Sequence, residues 1–377
     1  MGRTGLRDPA GVEAGPSQQP TGQHILACVG SMTCGGAERV LAILTSEWAS
    51  RGDRVSLMTL SGASSFYPLH PAVELVALGV SGGGPRWAAP WRIGRRIRAL
   101  RETIIDLQPT VVVSFIDRMN VQVVGAALGL GVPTVVSERV QPGPLDPRGW
   151  RWVRAAAYSR ASMVVAQTER MATVLRSPVA PPVRTIPNPV SEARRRARPA
   201  ASQNLVAVGR LAPQKGFDLL IEAFRRADIP GWNLTIHGEG GERAALEKQV
   251  VEAGLTGRVS LPGSHPDVMS AMADAGAFVL SSRFEGFPNA LCEAMAVGLP
   301  VVATRCPTGP EEIIRDEHDG LLVPVDDAGA MAASLRRLAG DPELRARLGD
   351  RAREVAQRFS VSSVVSQWDD AIRAVTR

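Results

Sequence analysis

The stretch from Ala277 to Pro310 constrains the fold of this 377-residue chain more than any other. An apolar run, Ala277-Phe278-Val279-Leu280, feeds a polar turn. A helix is then expected from Asn289 to Val297, followed at once by a second apolar run from Pro300 to Ala303. Pro288 at the head of the helix and Gly298 just past its end are the usual punctuation. Strand, loop, helix and strand in such close succession predict a β-α-β unit of a parallel sheet. Two acids bracket the turn. Glu285 falls in the loop at the carboxyl end of the strand, where open α/β sheets hold ligands. Glu293 falls about one turn into the helix, so both carboxylates can face one crevice. The amides of Asn289, Ala290 and Leu291 lie between them, and unpaired amides with the helix dipole suit a phosphate. Such an arrangement fits a ligand that carries both phosphates and sugars. The spacing alone equally fits a capped core helix with two solvated acids.

The run E-G-F-P-N-A-L-C-E-A-M-A-V-G-L-P-V-V-A resembles the E-x7-E signature of the family 4 retaining glycosyltransferases, also called group 1, which have the GT-B fold. That resemblance implies that Glu285 reaches the donor sugar and Glu293 the ribose hydroxyls of a nucleotide sugar. It implies an α/β molecule of two Rossmann-like domains, with parallel sheets facing an interdomain cleft. The likeness extends over roughly residues 24–375 and is strongest from 204 to 325.

A chain of this length exceeds one ordinary core, which predicts two domains. No apolar run reaches the length of a membrane span. Residues 1–22 are Gly-, Pro- and polar-rich without periodicity or the apolar stretch of a signal peptide, and are expected to form a disordered tail. The four cysteines, Cys28, Cys34, Cys292 and Cys306, show no metal spacing and are expected as free thiols in a reducing cytoplasm. Charge is divided unevenly. Residues 1–200 carry 24 Lys+Arg against 13 Asp+Glu, and residues 201–377 carry 19 against 24. A basic half joined to an acidic half suggests that the first faces an anionic partner or surface.

In the first half (residues 23–190), His24 to Gly30 reads as a buried strand, followed by the turn at Gly35 and Gly36 and an amphipathic helix to about Ser50. Glycines there allow close backbone approach to a phosphate. The sequence G-G-A-E-R-V is similar to the first-strand loop of the same family, which lines the cleft beside donor and acceptor. From Trp87 to Asp106, Ile93, Ile97, Leu100 and Ile104 recur at helical spacing, with Arg92, Arg95, Arg96, Arg98 and Arg101 off that stripe. Arg148 to Arg154 forms a second basic-aromatic cluster. Arg and Trp together suit a helix lying on an anionic membrane, and an ordinary surface helix fits as well. Thr110 to Phe115 and Thr134 to Val136 are central strands. The following Ser137-Glu138-Arg139-Val140-Gln141-Pro142 stands where many family members carry a His that contacts the donor. S-E-R resembles a branch that builds exopolysaccharides and lipid-linked oligosaccharides. Glu138 and Arg139 are therefore acceptor-side candidates, with a surface ion pair as the plainer alternative.

Residues 191–201, with four arginines and no apolar period, read as a linker. A second domain follows from 202 to 360, and 361–377 forms a last helix expected to cross back, with Trp368 as anchor. The run G-R-L-x-x-x-K-G-F-D matches the family's diphosphate clamp and assigns Arg210 and Lys215 to the leaving group. Gly238 lies in a loop after the strand ending at His237. His265 and Asp267 lie in a loop that, by family analogy, cradles the nucleobase. With Phe287 they complete the donor-binding set.

The function implied is retaining transfer of a hexose or N-acetylhexosamine from a nucleotide sugar, UDP by family frequency. The acceptor implied is a saccharide, lipid-linked or polymeric, and the enzyme would be cytoplasmic or peripheral on the inner membrane face. No cofactor or metal is expected, because no Asp-x-Asp or ligand cluster stands in a plausible site. The rivals are a soluble small-molecule acceptor and an inactive nucleotide-sugar-binding protein. A dinucleotide oxidoreductase lacks its G-x-G-x-x-G turn, and no motif supports nucleic-acid binding.

Overall fold

The structure is a computed structural model that describes residues 22–80, 82, 89–140, 147–176, 181–193, 195–265 and 267–377. All but Gly22 of the expected tail (residues 1–22), with Trp87, Gln141, Pro142, Arg194 and Pro266, lies outside the described residues, as does the side chain of Arg148.

Elements β1 (His24–Val29), α1 (Gly36–Ser50), β2 (Arg54–Thr59), β3 (Val73–Ala77), α2 (Ala89–Leu107), β4 (Val111–Phe115) and α3 (Asp117–Ala127) come first. Then follow β5 (Thr134–Ser137), α4 (Arg148–Tyr158), β6 (Met163–Ala166), α5 (Glu169–Leu175) and β7 (Val183–Thr185). These strands form one parallel sheet in the order β3-β2-β1-β4-β5-β6-β7. The second set comprises β8 (Asn204–Val208), α6 (Phe217–Ala227), β9 (Asn233–His237), α7 (Arg243–Glu252), β10 (Val259–Gly263), α8 (Val268–Ala273), β11 (Ala277–Leu280), α9 (Asn289–Val297), β12 (Val301–Thr304), α10 (Pro310–Ile313) and β13 (Leu321–Val323). It forms a second parallel sheet in the order β10-β9-β8-β11-β12-β13. Helices α11 (Ala328–Gly340), α12 (Pro342–Ala352), α13 (Glu354–Arg358) and α14 (Val361–Thr376) complete the chain.

Central strands such as β4, β5, β11 and β12 are buried along their whole length, so their unbroken apolar runs satisfy both faces of the sheet. Each sheet reverses its strand order once, between β1 and β4 and between β8 and β11. Open parallel sheets bind ligands at such switch points, outside the carboxyl ends of the strands. The loops after β1, β8 and β11 stand there.

Helix α14 joins the core of the first sheet although it is the last element. Val364, Val365, Trp368, Ala371 and Ile372 form one buried face at helical spacing. Trp368 stacks on Phe115 with ring centroids 5.6 Å apart and meets Trp48 edge-on at 6.5 Å. Trp48 Nε1 donates to Asp369 Oδ1 at 2.9 Å, and Arg51 Nη1 donates to Asp369 Oδ2 at 2.8 Å. The segment 191–201, read from composition as a linker, is partly fixed. Pro199 is buried, and its carbonyl accepts from Nε of Arg345, also buried, at 3.0 Å.

The α2 stripe is shorter than its spacing suggests. Ile97, Leu100 and Ile104 pack inward, but Ile93 is 46% exposed at the free end of the helix. Two of its arginines serve the fold: Arg96 Nε donates to the Val80 carbonyl, and Arg101 Nη1 donates to those of Ala126 and Leu128. All four cysteines are free, and only Cys34 is exposed. Among the described residues no helix is long and apolar enough to cross a membrane.

Candidate functional site

Helix α9 starts after Pro288 without a side-chain cap. The Leu291 amide donates to the Pro288 carbonyl at 3.0 Å, so it is already used within the first turn. That corrects the expectation of three open amides. Asn289 and Ala290 retain theirs, and Leu291 contributes a fully buried side chain instead. Phe287 likewise buries its ring in the core, edge-on to Phe359 at 5.5 Å.

The two acids are both buried and each meets a cation, although not one another's. Glu285 Oε1 accepts from Lys215 Nζ at 2.6 Å and from Ser282 Oγ at 2.6 Å. Glu293 accepts from Arg39 Nη1, reaching across from the first turn of α1. Burial raises the Glu293 carboxyl above its usual range, and Arg39 opposes that rise. Arg210 departs from expectation. Its side chain is exposed and pairs with no described residue, so it is not a fixed partner of Lys215.

The Gly35–Gly36 turn faces α9. Asn289 Nδ2 donates to the Gly36 carbonyl at 3.3 Å, and the Asn289 Oδ1 accepts from Asn188 Nδ2 at 2.6 Å. Asn188 in turn accepts from Arg139 Nη1 at 2.6 Å, and the Arg139 guanidinium lies 3.6 Å over the Phe115 ring. Nε and Nη2 of Arg139 are buried without a partner. Burial lowers this guanidinium to about 9, with Glu138 and Glu38 opposing the fall.

Glu138 is not a cleft residue here. Its side chain turns inward, where Tyr158 Oη donates to Oε2 at 2.8 Å and the Arg139 amide donates to Oε1 at 3.1 Å. It is 1% exposed, and burial lifts its carboxyl to about 7, against the lowering effect of the Tyr158 hydrogen bond. Neither the acceptor-side role nor the surface ion pair describes it, because Tyr158 and Asn120 offer it a closed polar niche.

The nucleobase-side candidates sit on the rim. His265 is exposed and packs edge-on to His237 at 5.4 Å. Asp267 caps α8 through the Ser270 amide and hydroxyl, at 3.1 and 2.6 Å, a helix-start role its position before Val268 signals. Gly238 adopts a positive φ of 149°, and a Cβ there would run into the Gly209 carbonyl of the neighbouring strand end, so only glycine fits.

The cleft is bridged at further points. Gly286 packs against the Arg139 carbonyl, leaving no room for a side chain. The Glu312 carboxylate accepts from the amides of Glu169 and Arg170, at 2.7 and 3.1 Å, across from α10 to the start of α5. Arg39, Asn188 and Glu312 were not singled out from sequence. For Arg39 a signal existed, since a charged residue one turn into a helix after Gly-Gly projects at the cleft. Among the described residues no three His, Cys, Asp or Glu side chains form a group able to hold a metal ion.

Two open parallel sheets, joined across their loops by the Arg39–Glu293 ion pair and with buried Glu285 held by Lys215 on the second, are the architecture of the GT-B glycosyltransferases. The family "Glycosyl transferases group 1" matches residues 192–355, and "Glycosyltransferase Family 4" matches residues 34–194. The chain belongs to the family 4, group 1 glycosyltransferases. Over 90% of its length it is 26% identical to a Campylobacter jejuni protein, covering 95% of that protein. That protein is named GalNAc-alpha-(1->4)-GalNAc-alpha-(1->3)-diNAcBac-PP-undecaprenol alpha-1,4-N-acetyl-D-galactosaminyltransferase. The present chain is 35% identical over 58% of its length to an exopolysaccharide phosphotransferase of Streptomyces coelicolor, but spans only 24% of that longer protein. HepE of Anabaena in complex with UDP and glucose shares the fold, with TM-score 0.77 at 18% identity over 93% of this chain and 99% of that one.

Proposed function

We propose that the chain transfers a hexose or N-acetylhexosamine from a UDP-sugar to the saccharide end of a lipid-linked or growing polysaccharide acceptor, with retention at the anomeric carbon. The observation that carries this reading is the pairing of buried Glu285 with Lys215, at 2.6 Å, beside an uncapped helix start. A donor diphosphate there would take Lys215 and the Asn289 and Ala290 amides, and Glu285 would turn to sugar hydroxyls. The named acceptor of the Campylobacter relative and the UDP of the HepE complex support the choice of partners.

In the proposed front-face step the bond from the anomeric carbon to the leaving phosphate oxygen breaks. The acceptor oxygen bonds to that carbon from the same face, and its proton passes to the departing diphosphate. Catalysis then rests on placement and on cations aimed at the leaving group. Lys215, with exposed Arg210 free to swing in, would supply that charge without a metal.

Membrane contact belongs to the same proposal. Helices α2 and α4 flank α3 on one side of the first sheet, and carry Trp91 at 82% and Trp152 at 78% exposure. Exposed Arg95, Arg98 and Arg151 stand on the same helices. Flotation with anionic vesicles, lost on combining Trp91→Ala with Trp152→Ala, tests it.

The principal test is thermal stability with UDP, GDP and ADP, each with and without EDTA, followed by NMR of the product's anomeric proton. Saturation at one hundred times the dissociation constant adds about 2.7 kcal/mol. Stabilisation by UDP alone, indifferent to EDTA, and an anomer matching the donor's are expected. No response to any nucleotide would overturn the reading in favour of an inactive protein.

A further inference from the structure

A cavity of 440 Å³ opens in the first domain beside the Gly35–Gly36 turn, outside the groups discussed so far. It lies at the carboxyl ends of β1 and β2, one strand away from the switch point. Its size falls within the roughly 300–1,000 Å³ of small-molecule sites. Its lining mixes the hydroxyls of Ser31, Thr33, Ser61, Ser64 and Ser65 with the side chains of Met32, Cys34 and Phe66, and no lining residue is an acid, a lysine, an arginine or a histidine.

The walls are held in place by hydrogen bonds that leave the hydroxyls capacity for a ligand. The Phe66 amide donates to the Met32 carbonyl at 2.8 Å, tying the loop after β2 to the loop after β1. Ser65 Oγ donates to the Tyr67 carbonyl at 2.7 Å, and Tyr67 Oη donates to the Gly35 carbonyl at 3.0 Å. The cavity is thereby fixed to the glycine turn that meets Asn289. Each serine oxygen still has lone pairs to offer, and Ser64 Oγ has no partner among the described residues. Phe66 packs edge-on against Tyr67 at 5.1 Å yet is 60% exposed. A phenylalanine pinned by its own backbone at the mouth of a cavity that also offers hydroxyls presents a flat apolar surface, of the kind a pyranose ring covers with its C–H face.

We infer that this cavity is the subsite for one uncharged sugar ring of the acceptor, with Phe66 under the ring and the serine and threonine hydroxyls on its own hydroxyls. The inference rests on the glycosyltransferase reading and narrows it. An anionic sugar would have to shed its hydration against a lining without a cation, which is costly. A sugar phosphate or uronic acid is therefore not the ring held here, and any diphosphate carrier of the acceptor extends away from the cavity.

Saturation-transfer NMR on the full chain tests this, with UDP present. The probes are the methyl glycosides of glucose, galactose, mannose, N-acetylglucosamine and N-acetylgalactosamine, against glucose 1-phosphate and methyl glucuronide. At least one neutral glycoside should show transfer in the wild type. Phe66→Ala should weaken it about tenfold. Ser64→Leu, which replaces a lining hydroxyl with a branched apolar side chain, should abolish it, and UDP should bind all three proteins alike. Binding of UDP with no neutral glycoside bound, preference for a charged probe, or unchanged glycoside binding in both variants would overturn the inference. Failure to bind UDP would instead strike at the glycosyltransferase reading itself.

Discussion

Gly286 offers a direct test of whether the contacts across the cleft matter for turnover. It belongs to the second domain's E-G-F-P loop, yet a Cβ there would stand well under 3.0 Å from the Arg139 carbonyl oxygen of the first domain. The Gln167 side-chain amide would be 2.9 Å away. A backbone carbonyl cannot rotate aside as a flexible side chain can, so Gly286→Ala must push the two domains apart locally. Overpacking of this kind costs roughly 1–3 kcal/mol. Because both obstructing groups lie on the other domain, the penalty falls on the bridged arrangement. The ratio of bridged to unbridged molecules should drop by about 5- to 150-fold. Turnover, followed as release of nucleoside diphosphate, should fall by up to that factor. The dissociation constant for UDP should change far less, since Glu285 and Lys215 sit on the same domain as the new methyl group. Gly241→Ala is the control, because a Cβ there meets nothing within 4 Å. Turnover of Gly286→Ala within twofold of the wild type would refute the reasoning, as would loss of UDP affinity in proportion to turnover.

Other outcomes follow from single contacts. Lys215→Ala should lower kcat at saturating donor by about 10²–10³-fold, the scale of losing one charge aimed at a leaving group, and near-normal kcat would remove Lys215 from that role. Trp368→Ala, emptying a site 1% exposed between Phe115 and Trp48, should cost about 3–5 kcal/mol by chemical denaturation; a loss under 1 kcal/mol would mean that α14 is not needed by the first domain. Glu138 gives a pH signature. Its carboxyl is raised to about 7 in the fold, so the native state binds the extra proton more tightly than the unfolded chain does. Its contribution is therefore fully present below the unfolded value and is lost as pH rises towards 7, by about 3 kcal/mol in all. Comparing Glu138→Gln with wild type between pH 4.5 and 7.5 isolates this slope, and parallel stability curves would show that Glu138 stays ionised.

The parts of the fold legible in the sequence were those specified locally. Ala277 to Ala303 showed itself because an apolar run, a proline, a glycine and a second apolar run fix strand, helix and strand within one short window. The buried runs at 111–115 and 134–137 did the same for the first sheet. Ile93 misled because spacing places it on the stripe of α2, whereas the core ends one turn later, at Ile97. Glu138 misled for a related reason. A charged residue at the end of a strand reads as open to the cleft, and only the positions of Tyr158 and Asn120, 20 and 18 residues away, decide that it turns inward. The contacts that join the two halves were the least legible. Arg39 and Glu293 are separated by 254 positions, and Asn188 and Asn289 by 101, so no local period or propensity relates them. What the sequence does carry is a trace of their consequence: glycine at 36 and at 286, where the opposing domain comes too close for a Cβ to fit without displacement. Glycine in a loop without positive φ is unexplained by its own backbone, and at Gly286 the reason is a carbonyl on the other domain.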